Sequence, residues 1–124
     1  MLKDTLFSII EGIDVADGRT YRLTLNASHP IFQAHFAGNP ILPGACIVQL
    51  IKELAANYYG QQFFTCAVKN MKFLQAINPL ETPEITVRLI FTQQEAGRIS
   101  ISAVLCNDDT MFSKSTLIFE NLLP

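Results

Sequence analysis

The chain has no paired cysteines, no long apolar run and no excess of either charge, and each absence removes a class of protein. Its three cysteines, Cys46, Cys66 and Cys106, are odd in number and include no CxxC pair, which argues against a disulfide framework and a zinc site. They read as small buried hydrophobes in a reducing compartment. The longest apolar stretches run only a few residues, far short of the roughly 20 that a membrane helix needs. Lys3 and Asp4 precede an apolar patch too short and too soon interrupted for a signal peptide. A cytoplasmic protein is the expectation. Net charge is −2 with scattered basic residues, so the chain carries no electrostatic footprint for nucleic acid. It also has no repeat, low-complexity tract or phosphate-cradling glycine loop. The two histidines, His29 and His35, lack a third ligand at metal-binding spacing. No metal or cofactor is expected.

What is present suits a single domain spanning residues 1–124 with one core. The sequence has 124 residues, 49% of them hydrophobic and nine of them phenylalanine. Phe32, Phe36, Phe63, Phe64 and Phe73 are candidates for that core. Residues 5–13 read as a first strand, closed by a turn at Asp17-Gly18. Tyr21, Leu23 and Leu25 then alternate with polar neighbours, as a half-buried strand should. The segment from Asn26 to Gly44 is turn-rich, carries Pro30, Pro40 and Pro43, and reads as one long ordered loop. A helix follows from about Gly44 to Tyr59, stopped by Gly60. Its polar positions Gln49, Lys52 and Glu53, with the tolerant Ala56, form one narrow stripe, and apolar residues cover the remaining arc. Such a helix is expected to be wrapped rather than laid on a surface. Four strands complete the pattern, near 64–76, 84–94, 97–106 and 110–120. One buried helix embraced by an antiparallel meander is an α+β architecture.

The most informative stretch is residues 35–44, HFAGNPILPG. A Pro-Gly at a helix start leaves backbone N–H groups unpaired and directed outward, ready for a carbonyl or anionic oxygen. A histidine nine residues earlier can take or give a proton near neutral pH. Base plus amide donor is the minimum equipment for enolate-type chemistry on a thioester. His29 reads as a turn or surface residue and is given no role.

HFAGNPILPG resembles the H-F-P-G-x-P-x-x-P-G hallmark of the hot-dog-fold 3-hydroxyacyl-[acyl-carrier-protein] dehydratases, with Ala37 in place of the first proline. HPIFQAHF before it and VKNMKFLQAINPLE after the helix are similar to that family too, as are the closing strands. Its N-terminal P-H-R-x-P-F-L pattern has no counterpart here. The resemblance implies a hot-dog fold, one long central helix wrapped by an antiparallel sheet. It also implies a dehydratase-like lyase acting on 3-hydroxyacyl thioesters of acyl carrier protein, in fatty-acid or polyene-type lipid synthesis. His35 would be the catalytic base and the Gly44 N–H the donor to the thioester carbonyl, a contact worth about 2.7–4 kcal/mol. Phe36, Gly38, Pro43 and Ala45 would line the substrate site.

Two departures matter. The family carries a carboxylate fourteen residues after the histidine, on the helix, and assisting from the partner subunit; here that position is Gln49. An amide can donate a hydrogen bond but cannot deliver a proton at neutral pH. Where the family commonly has Glu followed four residues later by Gln, this chain has Gln49 followed by Glu53, one turn apart on the same face. Either Glu53 supplies the carboxylate, or Gln49 orients a water while His35 performs both proton transfers. Second, the basic pair that often follows the family's post-helix phenylalanine is replaced by Leu74 and Gln75, leaving Lys69 and Lys72 to meet an acidic carrier protein. By the same resemblance, subunits would join sheets edge to edge as a homodimer or higher oligomer, or as a heteromer with another hot-dog subunit. A hot-dog thioesterase and a non-catalytic acyl-binding subunit are the alternatives.

Overall fold

Alternating hydrophobicity builds the sheet. The computed structural model describes residues 2–34, 40–95 and 97–121. Strands β1 (Phe7–Val15) and β2 (Gly18–Leu25) form an antiparallel hairpin with a bulge between Ile9 and Glu11. Along β2, Tyr21, Leu23 and Leu25 are buried while Arg22 and Thr24 are exposed, so one face turns inward with the two-residue period of a strand. The same parity recurs in β4 (Glu84–Glu95), where Ile85, Val87 and Leu89 are buried, and in β5 (Arg98–Cys106), where Ile99, Ile101, Ala103 and Leu105 are. Gly18 is required where β2 meets β4: a Cβ there would lie 1.8 Å from the Leu89 carbonyl oxygen.

Two helices interrupt the strands. The five-residue α1 (Pro30–Ala34) falls inside the segment expected to be loop, and α2 (Gly44–Tyr59) matches the expected helix. Gly60 ends α2 in the left-handed conformation, φ 69°, where its N–H donates to the Ala56 carbonyl at 2.8 Å; glycine accepts that backbone without a Cβ penalty. Strands β3 (Phe63–Phe73) and β6 (Met111–Asn121) complete a six-stranded antiparallel sheet in the order β1-β2-β4-β5-β6-β3. This is the hot-dog arrangement, with one modification of the expected meander. Of the four strands after α2, β4, β5 and β6 run in sequence order, while β3 lies at the far edge beside β6. Chain leaving β2 thus reaches the opposite edge through α2, and residues 74–83 carry it back to β4 beside β2. Asn78 shapes that return: its carbonyl accepts from the Thr82 N–H at 2.7 Å and its side chain from the Leu80 N–H at 2.9 Å.

The core lies between the inner sheet face and α2. Ile47, Leu50, Ile51, Leu54 and Ala55 are the buried apolar residues of the helix. The wrapping is incomplete within one chain, because Ala45, Asn57 and Tyr58 are exposed and Gln49, Lys52 and Ala56 half-buried. Glu53 departs from its stripe and is only 6% exposed, since the segment before β1 crosses over it. Phe32 and Phe63 belong to the core as expected, whereas Phe73 is 58% exposed. Standing at the end of an edge strand, its ring has no sheet neighbour beyond it.

Candidate functional site

The site begins at a helix end that no side chain caps among the described residues. Pro43 precedes α2 in an extended conformation, φ −65° and ψ 150°, and offers no side-chain hydrogen bond. Its carbonyl accepts from the N–H groups of Cys46 and Ile47 at 3.0 and 3.1 Å. The N–H groups of Gly44 and Ala45 find no acceptor among the described residues. Two free amides at the positive end of a 16-residue helix can hold an oxygen that carries or develops negative charge.

Beside these amides runs an apolar groove of about 370 Å³. Ile41, Pro43 and Ile47 form one side, and Phe73, Leu74 and Ala76 the other. Gly44 sits where the two sides meet. A Cβ built there would lie 2.7 Å from Phe73 Cζ, so glycine lets the aromatic ring approach the helix start. The Leu42 N–H donates to the Ile77 carbonyl at 2.9 Å and ties the approach to α2 to the residues after β3.

One turn further along α2, the two polar residues singled out from the sequence form a pair. The Gln49 Nε2 donates to Glu53 Oε2 at 2.8 Å. The carboxylate takes more: Leu2 N–H reaches both of its oxygens, at 3.0 and 2.8 Å, and Lys3 N–H donates to Oε1 at 2.8 Å. Glu53 therefore fastens the N-terminal segment to the central helix. His35, Phe36 and Gly38 lie outside the described residues. The structure thus joins Pro43, Gly44 and Ala45 at the helix start and pairs Gln49 with Glu53. His29 has a local task, its Nδ1 accepting from the Ile31 N–H at 3.0 Å at the start of α1.

A second feature escaped the sequence because it depends on strand order. Pairing places Arg88 beside Val104, Val104 beside Lys114, and Lys114 beside Lys72, all in one row across the sheet. Their neighbours Ala103 and Ser115 face the core, so this row lies on the outer face. Lys69 sits next to it, paired with Thr116. A groove of about 290 Å³ runs along Lys72 and Lys114, lined also by Asn70 and Ser102. Asn70, φ 53°, forms the bulge that bends β3 between Lys69 and Lys72. Among the described residues none of these four cations is in an ion pair. Lys72 and Phe73 are consecutive in β3 and so point to opposite faces, the lysine outward and the Phe73 ring toward the start of α2.

Burial raises the Cys46 thiol above its ordinary value, and Cys106 is a buried free thiol. Among the described residues no three of His, Cys, Asp or Glu gather to hold a metal ion. No helix is long and apolar enough to cross a membrane.

Known proteins resemble the chain in sequence and in fold. A family model described as ApeI dehydratase matches residues 14–115. A 3-hydroxyacyl-[acyl-carrier-protein] dehydratase FabZ of Lactiplantibacillus plantarum is 27% identical over 75% of this chain and 70% of its own length. The FabZ of Thermus thermophilus is 21% identical over 92% and 87%. Among solved structures, the dehydratase heterocomplex ApeI:P from Xenorhabdus doucetiae superposes with a TM-score of 0.67 at 18% identity, covering 91% of this chain and 96% of that one. A hypothetical thioesterase with coenzyme A from Streptococcus pneumoniae gives 0.64 at 12% identity, covering 97% and 91%. These structural likenesses carry the hot-dog fold.

Proposed function

Because the chain belongs to the ApeI dehydratase family, whose model matches 14–115, we propose that it removes water from 3-hydroxyacyl thioesters carried on acyl carrier protein, in fatty-acid or polyene-type lipid synthesis. The observation that carries this reading is the pair of N–H groups at Gly44 and Ala45, which find no acceptor among the described residues and open onto an apolar groove. The thioester carbonyl oxygen sits on the Gly44 N–H and the acyl chain lies against Pro43, Ala45, Phe36 and Gly38. His35 takes the proton from the α-carbon. Electron density from that broken C–H bond passes toward the thioester oxygen, where the helix amide stabilises the developing charge. The bond from the β-carbon to the hydroxyl oxygen then breaks, a carbon–carbon double bond forms, and the oxygen leaves as water with a proton returned by His35. Gln49 holds the departing hydroxyl or a water. The Glu53 oxygens are occupied by N–H donors of the same chain, which favours His35 for both transfers.

The outer basic strip of Arg88, Lys69, Lys72 and Lys114 suits an acidic carrier protein, whose thioester passes round the β3 edge to reach the groove on the opposite face. The subunit works as a homodimer or higher oligomer, or with a second hot-dog subunit. An amide at position 49 specifically favours the mixed assembly, since a partner can bring the acid that this helix lacks. The test is to incubate the protein with 3-hydroxyacyl and 2-enoyl carrier-protein thioesters and follow their interconversion by mass spectrometry. Interconversion that is lost in His35→Ala supports the proposal. Release of free acid would instead indicate a thioesterase. No change, even with an acid-bearing hot-dog subunit added, would indicate a non-catalytic acyl-binding protein.

A further inference from the structure

An amide side chain has two different ends, and what a residue offers depends on which end faces outward. At Gln49 the choice is settled by its neighbour. Glu53 Oε2 lies 2.8 Å from Gln49 Nε2, and both Glu53 oxygens already accept backbone N–H groups. An ionised carboxylate can only accept, so the NH₂ end of Gln49 is drawn to it. The Oε1 end is turned away, and no donor among the described residues reaches it. Nor is it among the sealed, unpartnered side-chain atoms.

We infer that Glu53 is a positioning residue that locks the Gln49 amide with its oxygen outward, so that position 49 presents a pure hydrogen-bond acceptor to the substrate's β-hydroxyl or to a water. This rests on the proposed dehydration and sharpens it. Position 49 can hold and orient a hydroxyl by accepting its hydrogen, but it has no proton to give. The polarity of the pair matters. With glutamate at 49 either oxygen would serve, and no lock would be needed. With glutamine there, a carboxylate one turn later decides which end is shown. The swapped order, Gln49 before Glu53, is therefore a coupled arrangement rather than two independent changes. The backbone donors from Leu2 and Lys3 reinforce it, because they hold Glu53 in place while it holds Gln49.

The experiment is a four-protein cycle: wild type, Glu53→Gln, Gln49→Glu, and the double swap Gln49→Glu with Glu53→Gln. Each is assayed with a 3-hydroxyacyl carrier-protein thioester, alongside ¹⁵N NMR of the Gln49 side-chain amide in the proteins that retain it. With Gln49 in place, Glu53→Gln lets the amide turn round, and kcat falls about tenfold, the rate equivalent of one hydrogen bond, with KM little changed. Made on top of Gln49→Glu, the same substitution costs less than twofold. Equal losses in both backgrounds would mean that Glu53 merely secures the fold and would overturn the inference, as would no loss in either. The NMR arm separates this from the functional reading. If wild type turns over no thioester, dehydration fails; the lock is then judged by the Gln49 NH₂ pair alone. A locked amide exchanges slowly in wild type and rapidly in Glu53→Gln. Rapid exchange in wild type would refute the lock.

Discussion

Replacing Glu53 by leucine removes a carboxylate that accepts from three different donors. Leucine keeps the approximate volume and suits a helix interior, so the main change is loss of the acceptor. Three donors lose it together: the Leu2 N–H, the Lys3 N–H and the Gln49 amide, each within 2.8–3.0 Å of a carboxylate oxygen. A hydrogen bond to a charged group contributes about 1.5–3 kcal/mol net. The full complement is not lost, because Leu2, Lys3 and Gln49 are only half-buried and regain water, and leucine escapes the cost of desolvating a charge. The expected destabilisation is about 2–4 kcal/mol, or on the order of 10 °C in Tm for a chain of this size. The segment before β1 should loosen with it, uncovering Leu6, which is fully buried. Urea and thermal unfolding at one fixed protomer concentration measure the first effect, since oligomerisation links stability to concentration. Limited proteolysis before residue 7 measures the second. Unchanged or increased stability would refute the reasoning, because that is the outcome when a buried ion is a burden rather than a clamp.

Tyr21→Phe removes one good hydrogen bond, from the hydroxyl to Asn57 Oδ1 at 2.9 Å, and should cost about 1 kcal/mol. Burial, the largest influence, raises the Tyr21 phenol above its ordinary value. Its contribution is therefore complete below about pH 10 and fades as pH climbs through the raised value. Urea titrations at pH 8 and above 10 should find wild type losing more stability than the phenylalanine variant, and parallel losses would count against this. The Cys46 thiol, raised by burial, should react with iodoacetamide several-fold more slowly than glutathione near pH 7.5 and gain ground at higher pH. Peptide mass spectrometry reads it, and a rate equal to glutathione would contradict the assignment. Reversing charge on the outer strip with Lys72→Glu and Lys114→Glu should raise KM about tenfold for a carrier-protein thioester at low salt. The effect should fade near 0.5 M salt and be absent for a small soluble thioester; an equal effect on both substrates would remove the strip's docking role.

The elements with local causes were readable along the chain. Tyr21, Leu23 and Leu25 announce β2 by parity alone, and Gly60 marks the end of α2 because a left-handed residue there releases the helix. What could not be read was everything set by distant partners. β3 follows α2 in sequence but lies beyond β6 in space. Its placement depends on where the helix delivers the chain, which no local pattern encodes. Phe73 looked like core because it is aromatic, yet edge position leaves it 58% exposed. Glu53 looked like part of a polar stripe, yet donors 50 and 51 residues away bury it. The Arg88, Lys114 and Lys72 row likewise exists only once strand register is known.

The helix start was legible for the opposite reason: it violates local rules within a few residues. Glycine in a helix costs about 1 kcal/mol relative to alanine, and an extended proline at the cap position provides no side-chain acceptor. A sequence selected for helix stability alone would place serine, threonine or aspartate at 43 and alanine at 44. Each would harm what the fold builds here. A capping oxygen at 43 would compete for the N–H groups at the helix start, and a methyl at 44 would press on the Phe73 ring at 2.7 Å. Two destabilising choices side by side, which leave amides open beside an apolar groove, are what the proposed site for a polarised oxygen requires. That local conflict makes Pro43-Gly44 conspicuous in a string of letters, whereas the Gln49–Glu53 lock, which breaks no local rule, stays invisible until its partners are in place.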